Sequence, residues 1–187
     1  MWIATTVLLL VVAYGVLTFN RLVRASNRVE EAWSDVDVQL QRRYDLVPNL
    51  VLAVQQYTDY EGSVLLDIAR ARTESMNTAA PIEKGKTESV LSEQFKSLIA
   101  VAESYPVLKA SDSFLKLQKA LVDTEDQIQY ARRYYNGSVR DFNILTQTFP
   151  NNLMAGRLGF ESEPFFEIQL ATERAAPGVE MGKAGKQ

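Results

Sequence analysis

"VDVQLQRRYDLVPNLV" (Val36–Val51) sets two arginines, two aspartates and a proline into a stretch that otherwise reads as an apolar helix. Val36, Val47, Val54 and Leu65 fall within about 20° of one another at 100° per residue, which marks one helical face. Pro48 should interrupt that face, because its ring removes a hydrogen bond and clashes one turn back. Yet the apolar phase is the same before and after it. The reading is a continuous helix from Asn27 to Met76, kinked near Tyr44–Pro48, with a turn at that place as the alternative.

Toward the N-terminus the chain changes character. "WIATTVLLLVVAYGVLTF" (Trp2–Phe19) carries no charge. As a helix it is about 27 Å long, close to the hydrocarbon thickness of a bilayer. Trp2 lies at one end and Tyr14 and Phe19 toward the other, as interfacial aromatics do. A cleaved signal peptide would want basic residues ahead of the run and a small-residue site behind it. Here Arg21, Arg24 and Arg28 follow it instead. A retained span is expected, with those arginines on the cytoplasmic side and the N-terminus outside.

Downstream, "NTAAPIEKGKTES" (Asn77–Ser89) holds Pro81 and Gly85 and shows no period, so it reads as a loop. Helical spacing returns in Ser89–Tyr105 through Leu91, Phe95, Leu98 and Ala102, and Pro106 ends it. Ser111 or Asp112 is placed to cap a third helix, running through Phe114, Leu121, Ile128, Tyr135, Val139 and Phe142 to Phe149. Pro150 stops that helix, Asn151–Ala155 fits one more turn, and "PFFEIQL" is short, apolar and partly β-like. The glycine, proline and scattered charge after Ala171 read as a disordered tail. The expected fold is all-α: an N-terminal transmembrane helix (1–20) continuing into an elongated antiparallel helical bundle (21–170), then a tail (171–187).

Several charges fall on the wrong face. Projected on the long helix, Arg43, Glu61 and Arg72 lie within about 20° of Val36, inside the apolar arc. On the third helix Gln118, Glu125, Arg132, Asn136 and Asn143 form a stripe bordering the face of Leu121, Ile128 and Val139. A buried charge must find an opposite charge or several hydrogen bonds. A structural polar network is therefore expected among Arg43, Glu61, Arg72, Glu125 and Arg132, with Asn136 and Asn143 supplying amide bridges. Such pairing adds little net stability but holds long helices in register. Arg42, Asp45 and Asn49 point the other way and form the candidate interaction face.

Composition narrows the function. Of 187 residues 47% are apolar and 23% charged, the net charge is −3, and cysteine and histidine are absent. Disulfides, thiolate chemistry and imidazole ligands or bases are excluded. The slightly acidic balance argues against nucleic acid as a partner. No cofactor or metal site is expected, since no calcium-type Asp/Asn/Gly loop occurs. A carboxylate-centred active site using Glu61 or Glu125 is the rival to register, but each carboxylate has an arginine to hand.

"FNRLVRASNRVEEAWSDVDVQLQRRYDLVPNLV" closely resembles the N-terminal signature of the LemA family of bacterial membrane proteins. "YPVLKASDSFLKLQKALVDTEDQIQYARRYYNGSVRDFNILTQTFPNNLMAG" and "GFESEPFFE" resemble the rest of the pattern in order, so the match runs from Phe19 to Glu167. Two positions depart from it: Phe19 stands where tyrosine is usual, and Tyr60 where histidine is usual, so a role for that histidine does not carry over. The resemblance implies one membrane span, a cytoplasmic helical bundle and no assumed enzymatic activity. One relative in the family takes part in forming magnetosome membrane compartments, which suggests membrane organisation.

The expected function is a non-catalytic, membrane-anchored helical scaffold of the bacterial cytoplasmic membrane. Its partners would be the lipid bilayer and further copies of itself. The alternative is an accessory subunit recruited to a membrane protein partner, such as a stress protease or a transporter.

Overall fold

Pro48 does not break its helix. In the computed structural model, which describes residues 1–56 and 63–168, one helix α1 (Trp2–Gln55) continues through it. The remaining elements are α2 (Ser63–Asn77), α3 (Pro81–Glu103), the single-turn α4 (Pro106–Lys109), α5 (Asp112–Gln147) and α6 (Asn151–Leu158). Among the described residues there is no strand, so the fold is all-α.

The proline is tolerated because its orphaned acceptor is satisfied from outside. Pro48 has no N–H to give the carbonyl of Tyr44 one turn back. Arg72 on α2 supplies the missing donor, its Nε donating to that carbonyl at 2.8 Å. This contact also shows that α2 folds back beside α1. The expected helix to Met76 is therefore two helices, α1 ending at Gln55 and α2 beginning at Ser63. Periodicity misled here for a physical reason. It reports which face meets the core, and α2 turns Leu65, Ile68 and Ala71 into the same core from the other side.

The expected loop at Asn77–Ser89 is also corrected. Helix α3 starts at Pro81, where a proline fits because the first N–H has no helical partner anyway. Gly85 lies inside it, and the backbone carbonyl of Glu167 passes where a Cβ would stand. The expected cap on α5 is only partly met. Ser111 adopts the extended N-cap backbone, but its side chain makes no capping bond.

Helices α1 and α5 pack antiparallel, with Trp33 and Tyr135 in ring contact at 5.1 Å and Tyr14 reaching Asn151 just beyond the end of α5. The ion pairs Asp37–Lys84 and Arg43–Glu88 advance together along both helices, so α3 runs parallel to α1. The C-terminal half of α1 with α2, α3 and α5 thus forms a four-helix bundle around Leu40, Val47, Leu50, Ile68, Leu91 and Leu98.

Nearer the N-terminus only α1 and α5 remain, and two helices cannot enclose a core. A third layer is supplied by the extended segment 160–168, here called the strap. Gly159, at φ 77°, takes the left-handed conformation that turns the chain out of α6 into it. Phe166 and Ile168 of the strap are buried in the main core. Phe160 sits edge-on between Phe19 and Phe142, 6.4 Å from each. From Trp2 to Leu17, by contrast, the apolar side chains of α1 are largely bare.

Candidate functional site

The buried polar centre of the bundle is built on Arg43, whose side chain is 0% exposed. Its Nη1 lies 3.2 Å from Glu88 Oε2, and its Nη2 donates to Ser92 Oγ at 2.7 Å. Its Nε stands 3.1 Å from Glu125 Oε1, an ion pair without the alignment of a hydrogen bond. The guanidinium also covers the Phe95 ring, 5.0 Å from its centroid. Ser92 passes its own hydrogen to the Glu88 carbonyl at 3.0 Å. Tyr44 donates its hydroxyl to Glu88 Oε1. Lys84, on the Tyr44 ring, reaches Asp37 at 3.4 Å.

Burial pushes the Glu88 carboxyl above its ordinary range, against the opposing pull of Arg43. Burial and the neighbouring Glu88 carboxylate push the Tyr44 phenol up as well, so it stays a donor. An arginine cannot shed its charge in a protein, so at least one carboxylate must remain ionised to meet it. Glu88 is wholly buried while the Glu125 side chain is 33% exposed. The centre is thus closed on the α3 side and half open on the α5 side.

Of the described residues expected in one network, the structure brings Arg43 and Glu125 together and gives Arg72, Arg132, Asn136 and Asn143 other partners. Arg72 serves the Tyr44 carbonyl. Arg132 bonds Gln129 and the Ile168 carbonyl. Asn136 and Asn143 do not bridge helices as expected; each clamps the strap. Asn136 donates to the Phe166 carbonyl at 3.0 Å and accepts from its N–H at 2.9 Å. Asn143 makes the same pair of bonds with Glu163, at 2.9 and 2.8 Å. Tyr135 donates to the Pro164 carbonyl at 2.9 Å, and burial pushes its phenol up to about 12. The amides satisfy an extended backbone that has no sheet partner, which is why they are needed there.

Glu61 lies outside the described residues. Arg42, Asp45 and Asn49 face solvent. Glu88 is absent from the expected network because Pro81 and Gly85 give its segment the pattern of a loop. Read as helix, it falls within about 20° of Phe95 on the inward arc.

The strap gives a direct test. Replacing Gly85 with alanine puts a methyl group into the Glu167 backbone. Overpacking of this kind costs about 1–3 kcal/mol. Lower melting and faster proteolytic cleavage within 160–168 are expected; unchanged cleavage would show that the strap does not rest on α3.

The sequence profile of the LemA family matches residues 32–181. Magnetosome protein MamQ 2 of Paramagnetospirillum magneticum is 24% identical, over 86% of this chain and 68% of that protein. Magnetosome protein MamQ of Magnetospirillum gryphiswaldense is 23% identical, over 83% and 66%. Protein LemA of Metamycoplasma hominis is 28% identical, over 79% and 68%.

Proposed function

The chain belongs to the LemA family, and on that premise we propose that it is a non-catalytic scaffold of the bacterial cytoplasmic membrane, anchored by α1 and acting through self-association. The observation that supports this reading most is the continuity of α1. A bare apolar segment, Trp2 to Leu17, passes without interruption into a helix that frames a packed bundle. Left in water, so much contiguous apolar surface would be a liability; in lipid it is an anchor. Arg21, Arg24 and Arg28 favour a cytoplasmic bundle.

The interior charges are already committed to one another, which favours a structural role for them over chemistry. What the bundle offers a partner is its outside. Val38, Arg42, Asp45, Asn49 and Leu52 are all exposed and share one face of α1, within about 80°. That mixed polar and apolar stripe is the proposed contact between copies. The same stripe would serve recruitment to a foreign membrane protein, the second reading.

Mass measurement of the full chain, purified in mild detergent, separates the two. A homo-oligomer that Leu52→Glu and Val38→Glu reduce to monomer is the expected result. A defined foreign subunit would favour the adaptor reading, and a monomer with no companion would count against both.

A further inference from the structure

The corner where α5 gives way to α6 lies at an unusual height. Tyr14 is five residues inside the apolar segment that ends at Phe19, so it sits about 7 Å below the edge of that segment. Its hydroxyl nevertheless donates to Asn151 Oδ1 of α6 at 2.9 Å. Met154 of α6 lies against Gly15, while Ala155 packs with Leu22 and Leu145. An α1 that spans a bilayer therefore carries α6 down to the boundary between headgroups and acyl chains.

The side chains that α6 and its approach leave uncovered suit that depth. Phe149 is 74% exposed, Ile144 and Leu153 57% each. These are apolar groups on the bundle's lipid-proximal end, while α6 itself carries polar Asn152 and Arg157. An apolar edge of that kind enters a bilayer by about 5–10 Å.

Beside it lies a groove of about 550 Å³, lined by Arg21, Arg24, Arg28, Asp141 and Ile144 among others. The arginines stand about 3, 8 and 14 Å beyond Phe19 along α1, across the thickness of a headgroup layer. None has a carboxylate partner among the described residues. Among the described residues Arg24 bonds only the Asn20 carbonyl, and the one acid lining the groove, Asp141, is engaged by Arg140. Three unneutralised guanidiniums facing one acid complement phosphodiester anions.

We infer that the α5–α6 corner is a second membrane contact, with Phe149 and Leu153 seated at the lipid boundary and the Arg21/Arg24/Arg28 groove holding phosphates of anionic phospholipids. This rests on the anchor reading. It fixes the tilt of the bundle, because α1 and the corner bind the leaflet at two separate points.

The absence of cysteine makes the test clean. Single variants Leu9→Cys, Leu153→Cys and Lys116→Cys of the full chain are labelled with a small fluorophore. Each is placed in nanodiscs of phosphatidylcholine with or without phosphatidylglycerol, containing lipids that carry a shallow or a deep nitroxide quencher. Position 9 should be quenched by the deep label, position 153 by the shallow one, and position 116 by neither. Phosphatidylglycerol should strengthen quenching at 153, and Arg21→Gln, Arg24→Gln and Arg28→Gln together should abolish that gain.

Quenching at 9 without quenching at 153 would overturn the second contact while leaving the anchor intact. No quenching at 9 would remove the anchor and the inference with it. A label at 153 that lipid does not reach, but that self-quenches between copies, would assign the corner to a second chain. Quenching at 153 that ignores both phosphatidylglycerol and the arginines would overturn the phosphate groove.

Discussion

Arg43→Met should lower the melting temperature of the full chain in detergent by about 10 °C at neutral pH. Removing one partner of a buried ion pair costs about 3–5 kcal/mol, and a chain of this size loses about 2–4 °C per kcal/mol. The reason is what remains: Glu88, fully buried, would keep the Tyr44 hydroxyl and the Lys84 charge one turn back on α3 to oppose its own. The penalty should also depend on pH. The Glu88 carboxyl is held above its unfolded value by burial, so between those two values the folded state binds more protons than the unfolded one. Stability therefore falls as pH rises through that window, starting from about 4.3. Arg43 is the largest influence pulling Glu88 down, so its loss extends the window upward. Part of the lost stability should return as the pH is lowered toward 5, and Arg43→Met/Glu88→Gln should lack that recovery. Thermal melts followed by circular dichroism across that range decide it. A pH-independent loss would mean that Glu88 is not the group left stranded.

The second large effect is expected from Glu88→Leu, and it differs in kind. A carboxylate left without its arginine can take up a proton, but an arginine left without its carboxylate cannot lose one. Of its two carboxylates Arg43 would keep only Glu125, on the half-open side and without hydrogen-bond alignment, beside the neutral Ser92 hydroxyl. Tyr44 would lose its buried acceptor. A loss of about 3–5 kcal/mol is expected, flat between pH 5 and 8 because no titrating partner remains in the closed half. If Glu88→Leu instead melts like the native chain, water enters from the Glu125 side and the closed description of the centre is wrong.

These two residues also show how far a sequence could be read. Arg43 and Glu125 were both legible, because each lies in or beside an apolar arc and a 100° step says so without further help. Glu88 obeys the same rule but was hidden by Pro81 and Gly85, which look like loop punctuation. In fact the proline opens the helix and the glycine makes room for Glu167. Arg72 was legible as inward-facing, yet its partner is a backbone carbonyl freed by Pro48, and side-chain periodicity carries no information about backbone acceptors. The same blindness applies to Asn136 and Asn143. Their stripe was visible, but they meet an extended strap rather than another helix. The reversal between α1 and α2 was concealed because both halves face one core in matching phase.

The helical, apolar N-terminal half of α1 was more legible than the bundle. Length and absence of charge show that Trp2–Phe19 is long and apolar enough to cross a bilayer, and the structure makes it one uninterrupted helix. What the sequence does not convey is that α6 returns to the same level, since that depends on Tyr14 and Asn151, 137 residues apart, meeting in space.

If the interior charges of this chain serve only to lock α1, α3 and α5 in place, an apolar substitute of matching size should do as well, as replaced ion pairs do elsewhere. The full-length double variant Arg43→Met/Glu88→Leu, purified in detergent, gives that answer. A melting point near the native one, far above either single variant, with particle mass unchanged is the expected result. A recovered melting point with the particle broken down would contradict the account, because the ion pair would then be needed for something other than holding helices together.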